Sequence, residues 1–160
     1  MNDPQLFKFV HEPRRETYEA LLTWMWQRGE YGLFVIVDGV GISQRAQDFL
    51  ERLQPYYISQ FKASVWPGVI SQISPALVTT FRLTKATLDM VVQETDRLYR
   101  WCQPDLPEDL TIVGTYPDPL LFSIAHERVG FMCLTIDDIT SLRANVPGLR
   151  AKLFIERHSK

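Results

Sequence analysis

Apolar residues recur along the chain with two different periods, and these periods divide it into candidate helices and strands. In residues 14–29, the side chains of Tyr18, Leu21, Leu22 and Met25 fall three or four positions apart, as on one face of an α-helix. The next run, YGLFVIVDG, is continuously apolar and rich in branched residues, which predicts a buried strand closed by a turn. A helix followed by a strand therefore forms the first clear unit of the chain.

Helix and strand patterns continue to alternate toward the C-terminus. Ser43 is a candidate N-cap for an amphipathic helix in QRAQDFLERLQ, and Thr84 for KATLDMVVQETDRLYRWC, the longest predicted helix. A strand is predicted for residues 76–83. Short strands are predicted in TIVGTYPDPLLFSIAHERVGFMCLTI, with a turn at residues 126–130. After these strands, the pattern predicts a short helix and then a final strand in GLRAKLFIE.

The chain contains no internal repeat, linker or low-complexity block that would divide it. We therefore expect a single domain over residues 1–160. Because helices and strands are mixed without a regular strand-helix-strand repeat, the predicted fold is α+β, with about four helices packed on a mainly antiparallel sheet. Residues 1–12 precede the first clear pattern and are predicted to form a loosely ordered N-terminal arm.

Composition narrows the class of protein. The chain is 46% hydrophobic and 22% charged, with a net charge of −2, so a globular fold is expected and a nucleic-acid or anionic-membrane partner is not. Its two cysteines, Cys102 and Cys133, form no CxxC pair or other disulfide pattern, which favours a reducing compartment. With no secretory or transmembrane pattern in the sequence, a cytoplasmic location is expected.

The adjacent residues His126 and Glu127 form the most reactive pair in the sequence. A histidine can act as a general base and a carboxylate can orient it, with Asp38 as a further candidate support. Neighbours on a strand point to opposite faces, however, so the alternative is a buried or hairpin-tip histidine held by hydrogen bonds. The three histidines, His11, His126 and His158, show no zinc-ligand spacing. No metal site and no cofactor are therefore predicted.

An acidic, proline-rich connector, PDLPEDL, follows an aromatic helix end. An exposed acidic loop beside tryptophan suits protein recognition, although a solvated loop with a half-buried tryptophan is the plainer alternative. The predicted contact residues, which include two tryptophans from other segments, are Trp24, Trp66, Trp101, Asp105, Glu108 and Asp109.

Four blocks, LQPYYI, SVWPGV, LYRWCQPDLPEDL and FSIAHERVGFM, resemble a small bacterial family of uncharacterised proteins, some of which are labelled stage III sporulation protein AH. The blocks span about half of the chain. The block SVWPGV departs from the family pattern, which ends in threonine there. This resemblance implies a small cytoplasmic bacterial domain without established catalysis.

The leading functional hypothesis is a non-enzymatic protein-binding domain, such as an immunity protein that neutralises a cognate toxin. It rests on the absence of a complete catalytic motif, on the surplus of tryptophan and on the acidic connector. One alternative is a small hydrolase or ligand-binding enzyme that uses His126. The other is a structural or regulatory homo-oligomer.

Overall fold

The computed structural model describes residues 2–67, 69–70 and 75–154. Within them the chain forms four helices, α1 to α4, and ten strands, β1 to β10. The helices are Arg15–Arg28, Gln44–Leu53, Lys85–Glu94 and Ile136–Asn145. The strands are Gln5–Phe9, Tyr31–Val37, Tyr57–Ala63, Val65–Trp66, Val69–Ile70, Ala76–Arg82, Glu108–Val113, Leu121–Ile124, Val129–Leu134 and Ala151–Leu153.

Eight of these strands form one antiparallel sheet in the spatial order β10-β1-β9-β8-β7-β2-β6-β3. The remaining two, β4 and β5, pair with each other as a short hairpin. The four helices pack on the large sheet, and the predicted α+β fold is confirmed. No helix in the described ranges is long and apolar enough to cross a bilayer.

An aromatic cluster forms the centre of the core between sheet and helices. The ring of Phe34 on β2 lies 4.6 Å from that of Trp101 and 5.6 Å from that of Phe49 on α2, measured between centroids. All three side chains are fully buried. Such closely spaced, non-sandwich ring pairs stabilise the fold beyond the area that they bury.

The helix predicted to run from residue 85 to residue 102 is shorter than its pattern suggested. It starts as expected, because Thr84 accepts a hydrogen bond from the backbone N–H of Thr87, but it ends at Glu94. The backbone N–H of Leu98 then bonds to the carbonyl of Pro13, and the Leu98 side chain is fully buried. This long-range contact outweighs the local helical pattern, and only a 3₁₀ turn forms at Leu98–Arg100.

The N-terminal residues are not a loose arm. Residues 5–9 form β1, which pairs with β9 on one side and β10 on the other. Phe7 and Phe9 are both 5% exposed. Two apolar side chains at alternate positions, buried against the helices, hold this short segment in the sheet.

Candidate functional site

A bulge at the start of β7 brings two neighbouring carboxylates to the same place. Val35 pairs with Glu108 and Leu33 with Thr111, so β7 carries one residue more than β2 in this interval. Asp109 lies within the bulge in the left-handed region, with φ of 57°. Because a bulge breaks the strict alternation of side chains, Glu108 and Asp109 can approach each other.

The Asp109 carboxylate is held from both sides. Its Oδ1 accepts the backbone N–H of Ala125 at 2.8 Å, and its Oδ2 accepts the indole Nε1–H of Trp66 at 3.3 Å. The side chain is only 1% exposed. Burial raises the pKa of Asp109 to about 6, while the hydrogen bond from Ala125 opposes that rise.

The Glu108 carboxylate is fixed by the chain segment before it. Its Oε1 accepts the backbone N–H of Gln103 at 3.1 Å and lies 3.8 Å from the Cys102 thiol. The Gln103 side chain accepts the Val37 N–H and donates to the carbonyl of Gly41, which ties this segment to the end of β2. Burial raises the pKa of Glu108. Sequence patterns alone do not single out Gln103, whose only signal is that it precedes Pro104 at the end of the helical pattern.

His126 approaches the two carboxylates from the turn that joins the neighbouring strands β8 and β9. It lies in a 3₁₀ turn, Ala125–Glu127, between the antiparallel strands β8 and β9, so the predicted turn between two strands is confirmed. The expectation that Glu127 points away is wrong, because alternation does not hold in a turn: its Oε1 lies 3.8 Å from His126 Nε2. Both side chains are more than half exposed, so this contact contributes little.

One ligand atom each from Glu108, Asp109 and His126 lies within 4.8 Å of the others. We call these three residues the carboxylate–histidine cluster. In the described part of the chain, no lysine or arginine forms an ion pair with either carboxylate. Imidazole nitrogen and carboxylate oxygen are both ligands of divalent transition metals. The arrangement can therefore hold a cation, or it can share protons when no cation is bound.

Asp38 lies outside this cluster. Its carboxylate forms an ion pair with Lys62 at 3.1 Å, at the edge of the sheet, and both side chains are about half exposed. The structure therefore does not place Asp38 beside His126, although the sequence made Asp38 a candidate support for that histidine in catalysis.

Of the three acidic residues in the connector, Asp105 alone is exposed. Glu108 and Asp109 are 7% and 1% exposed, because the fully buried Leu106 and Leu110 draw the segment into the core. The expectation of an exposed acidic loop is wrong for these two carboxylates. The polar composition of the segment does not by itself reveal that these two leucines hold it in the core.

The three tryptophans named as contact residues are also buried rather than displayed. Trp24, Trp66 and Trp101 are 4%, 6% and 0% exposed. Trp101 donates its Nε1–H to the hydroxyl of Tyr18 at 3.0 Å. Trp66 packs with Leu33, Val35 and other small apolar side chains on the side of the sheet that carries the hairpin. These rings are core elements of the fold.

The fold and the cluster define an α+β protein with a candidate site for a divalent cation. No protein-family model, curated protein or solved structure matches the chain.

Proposed function

We propose that the protein binds one divalent transition-metal ion, of which zinc is the best fit, through His126, Asp109 and Glu108. The observation that supports this proposal is the convergence of the three ligand atoms within 4.8 Å. Ligands of a tetrahedral zinc ion, at about 2.1 Å from the metal, lie roughly 3.4 Å apart. The observed limit of 4.8 Å is wider than this spacing, so the three side chains must move closer together when they bind the metal.

Electrostatics supports the same proposal. The two buried carboxylates lie close together, and burial disfavours the ionised form of both, while the neighbouring His126 opposes this rise in their pKa values. A bound cation removes this penalty because it pairs with both charges at once. The imidazole favours a transition metal over calcium or magnesium, which prefer ligand sets made of oxygen alone.

Three protein ligands leave a coordination position open, which is typical of a catalytic rather than a structural zinc site. In this proposal the small hydrolase or ligand-binding enzyme is the second candidate function, with His126 as a metal ligand instead of a free general base. The exposure of His126 supports it, because solvent reaches this ligand. The metal would supply a bound water of lowered pKa as nucleophile.

Titration of metal-free protein with zinc, manganese and calcium by calorimetry tests the proposal. We expect one equivalent of zinc to bind, with weaker manganese binding and little calcium binding. His126→Ala should weaken zinc binding at least about tenfold, as expected when a ligand is lost. His11→Ala is the matched control, because His11 is another exposed histidine and its side chain hydrogen-bonds only with Arg150 among the described residues.

Glu108→Gln tests a carboxylate without removing its structural role. Glutamine keeps an oxygen that can accept the Gln103 N–H, so the fold should survive while zinc binding weakens. Failure of the wild-type protein to bind zinc, or equal binding by the His126→Ala variant, would contradict the proposal.

Protein recognition, homo-oligomer formation and the resemblance to the bacterial family stay predictions. If the protein recognises a partner, the burial of the three tryptophans and of two acidic residues directs the search to other surfaces.

A further inference from the structure

A groove of about 620 Å³ runs along α1 and is closed on one side by the end of α4 and the residues after it. Its α1 side chains recur at three- and four-residue steps, so they form one continuous face of that helix. The lining residues on which the inference depends are Glu16, Glu19, Trp24, Gln27, Arg28 and Asn145.

One end of this α1–α4 groove carries a fixed positive charge. The guanidinium carbon of Arg28 lies 3.8 Å from the centroid of the Trp24 ring, and its Nη2 donates to the Ser141 hydroxyl at 3.4 Å. The Trp24 indole N–H reaches the same hydroxyl at 3.5 Å. Stacking and hydrogen bonding therefore orient Arg28, and its other N–H groups can still bind an anion.

The other end of the groove carries two carboxylates. Glu16 and Glu19 are exposed, and within the described residues neither they nor Arg28 form an ion pair. Glu19 and Glu16 lie nine and twelve positions before Arg28 on the helix, which corresponds to about 13–18 Å along the axis. The groove is thus negative at one end and positive at the other.

We propose that the α1–α4 groove binds an extended peptide segment with a basic group at one end and a carboxylate at the other. The separation of charges is too long for a free amino acid, whereas about four or five extended residues at 3.3 Å each span it. The carboxylate binds Arg28 bidentately, and the basic group lies beside Glu16 and Glu19. The side-chain amide of Gln27 and the side-chain oxygen of Asn145, whose nitrogen already donates to the carbonyl of Ser141, offer hydrogen bonds to the peptide backbone.

This site is independent of the proposed metal site, because the two share no residue. An acidic residue in the first turn of a helix also stabilises the helix by itself, as Glu16 does in α1, so loss of Glu16 acts on the helix as well as on the groove. A test therefore needs a change in the ligand as well as changes in the protein.

The probe is the capped pentapeptide Lys-Ala-Gly-Ala-Asp, compared with its neutral analogue Gln-Ala-Gly-Ala-Asn. Binding is followed by NMR titration of the isotope-labelled full chain, with the Trp24 indole N–H as reporter. We expect the charged peptide to shift this signal and to bind about tenfold more tightly than the neutral one at low salt, with the difference reduced at high salt.

Arg28→Gln should abolish the preference for the charged peptide, and Glu19→Gln should reduce it. Arg143→Gln is the matched control, because Arg143 is exposed and outside the groove, and it should leave the preference unchanged. The proposal is overturned if the charged peptide causes no shift, if both peptides bind equally, or if Arg143→Gln has the same effect as Arg28→Gln. None of these outcomes depends on whether zinc binds.

Discussion

The indole N–H of Trp66 donates to the Oδ2 atom of Asp109 at 3.3 Å, and this bond joins the β4–β5 hairpin to the start of β7. Both side chains are buried. Trp66 therefore fixes the orientation of the carboxylate that the proposed metal ion would use. Groups that orient metal ligands in this way typically contribute strongly to affinity.

The first prediction concerns this bond. Trp66→Phe keeps an aromatic ring in the small cluster beneath the hairpin but removes the N–H, so Asp109 loses one of its two donors. We expect a loss of about 1–2 kcal/mol in the free energy of unfolding, measured with urea, and weaker zinc binding. Trp24→Phe is the control, because the Trp24 bond to Ser141 is long at 3.5 Å. Equal effects of the two substitutions would argue against a special role for Trp66.

The raised pKa of Asp109 predicts a pH dependence of stability. Between its ordinary value of 3.8 and its folded value of about 6, the native state holds a proton that the unfolded state has lost. The stabilisation is therefore full below about pH 4, and it is lost as the pH rises through 6, by at most about 3 kcal/mol.

Urea unfolding in the presence of a chelator, at pH values between 4.5 and 7.5, measures the slope of the free energy of unfolding against pH. Asp109→Asn should flatten it, because asparagine does not titrate in this range. An unchanged slope in the variant would assign the pH dependence to other groups.

More of the fold than of the candidate site could be predicted from the sequence. Hydrophobic periodicity reports which face of a segment is buried, and it predicts α1, α2 and β2 without knowledge of any tertiary contact. The cluster depends instead on a bulge at Asp109 and on the packing of β8 beside β7. Neither feature produces a periodic pattern in the sequence. Residues that are far apart in sequence become neighbours only through strand pairing.

The Cys102 thiol is predicted to be unreactive. Burial raises its pKa to about 11, and the nearby charges of Glu108 and Asp109 add to the rise. At pH 8 its thiolate population is roughly 100-fold below that of a free cysteine, so alkylation by iodoacetamide should be correspondingly slow. The rate is best measured in a Cys133→Ala background. Glu108→Gln should accelerate the reaction, and a slower reaction would show that the neighbouring charge is not what suppresses it.

Gln103 is predicted to support both the fold and the cluster, although it is not itself a member of the cluster. Its side chain accepts the Val37 N–H at 2.7 Å and donates to the carbonyls of Val37 and Gly41, and it is 7% exposed. Gln103→Ala leaves backbone groups at the end of β2 without these partners, which costs about 2–4 kcal/mol of the free energy of unfolding.

The same substitution should also weaken zinc binding, because the backbone N–H of residue 103 holds Glu108 and depends on the position of this segment. Gln93→Ala on the exposed face of α3 is the control and should change neither quantity. A Gln103→Ala variant that lost stability but kept its zinc affinity would show that Glu108 is held by the strand β7 alone. Parallel losses would instead show that one side chain, by tying this segment to β2, supports both the fold and the cluster.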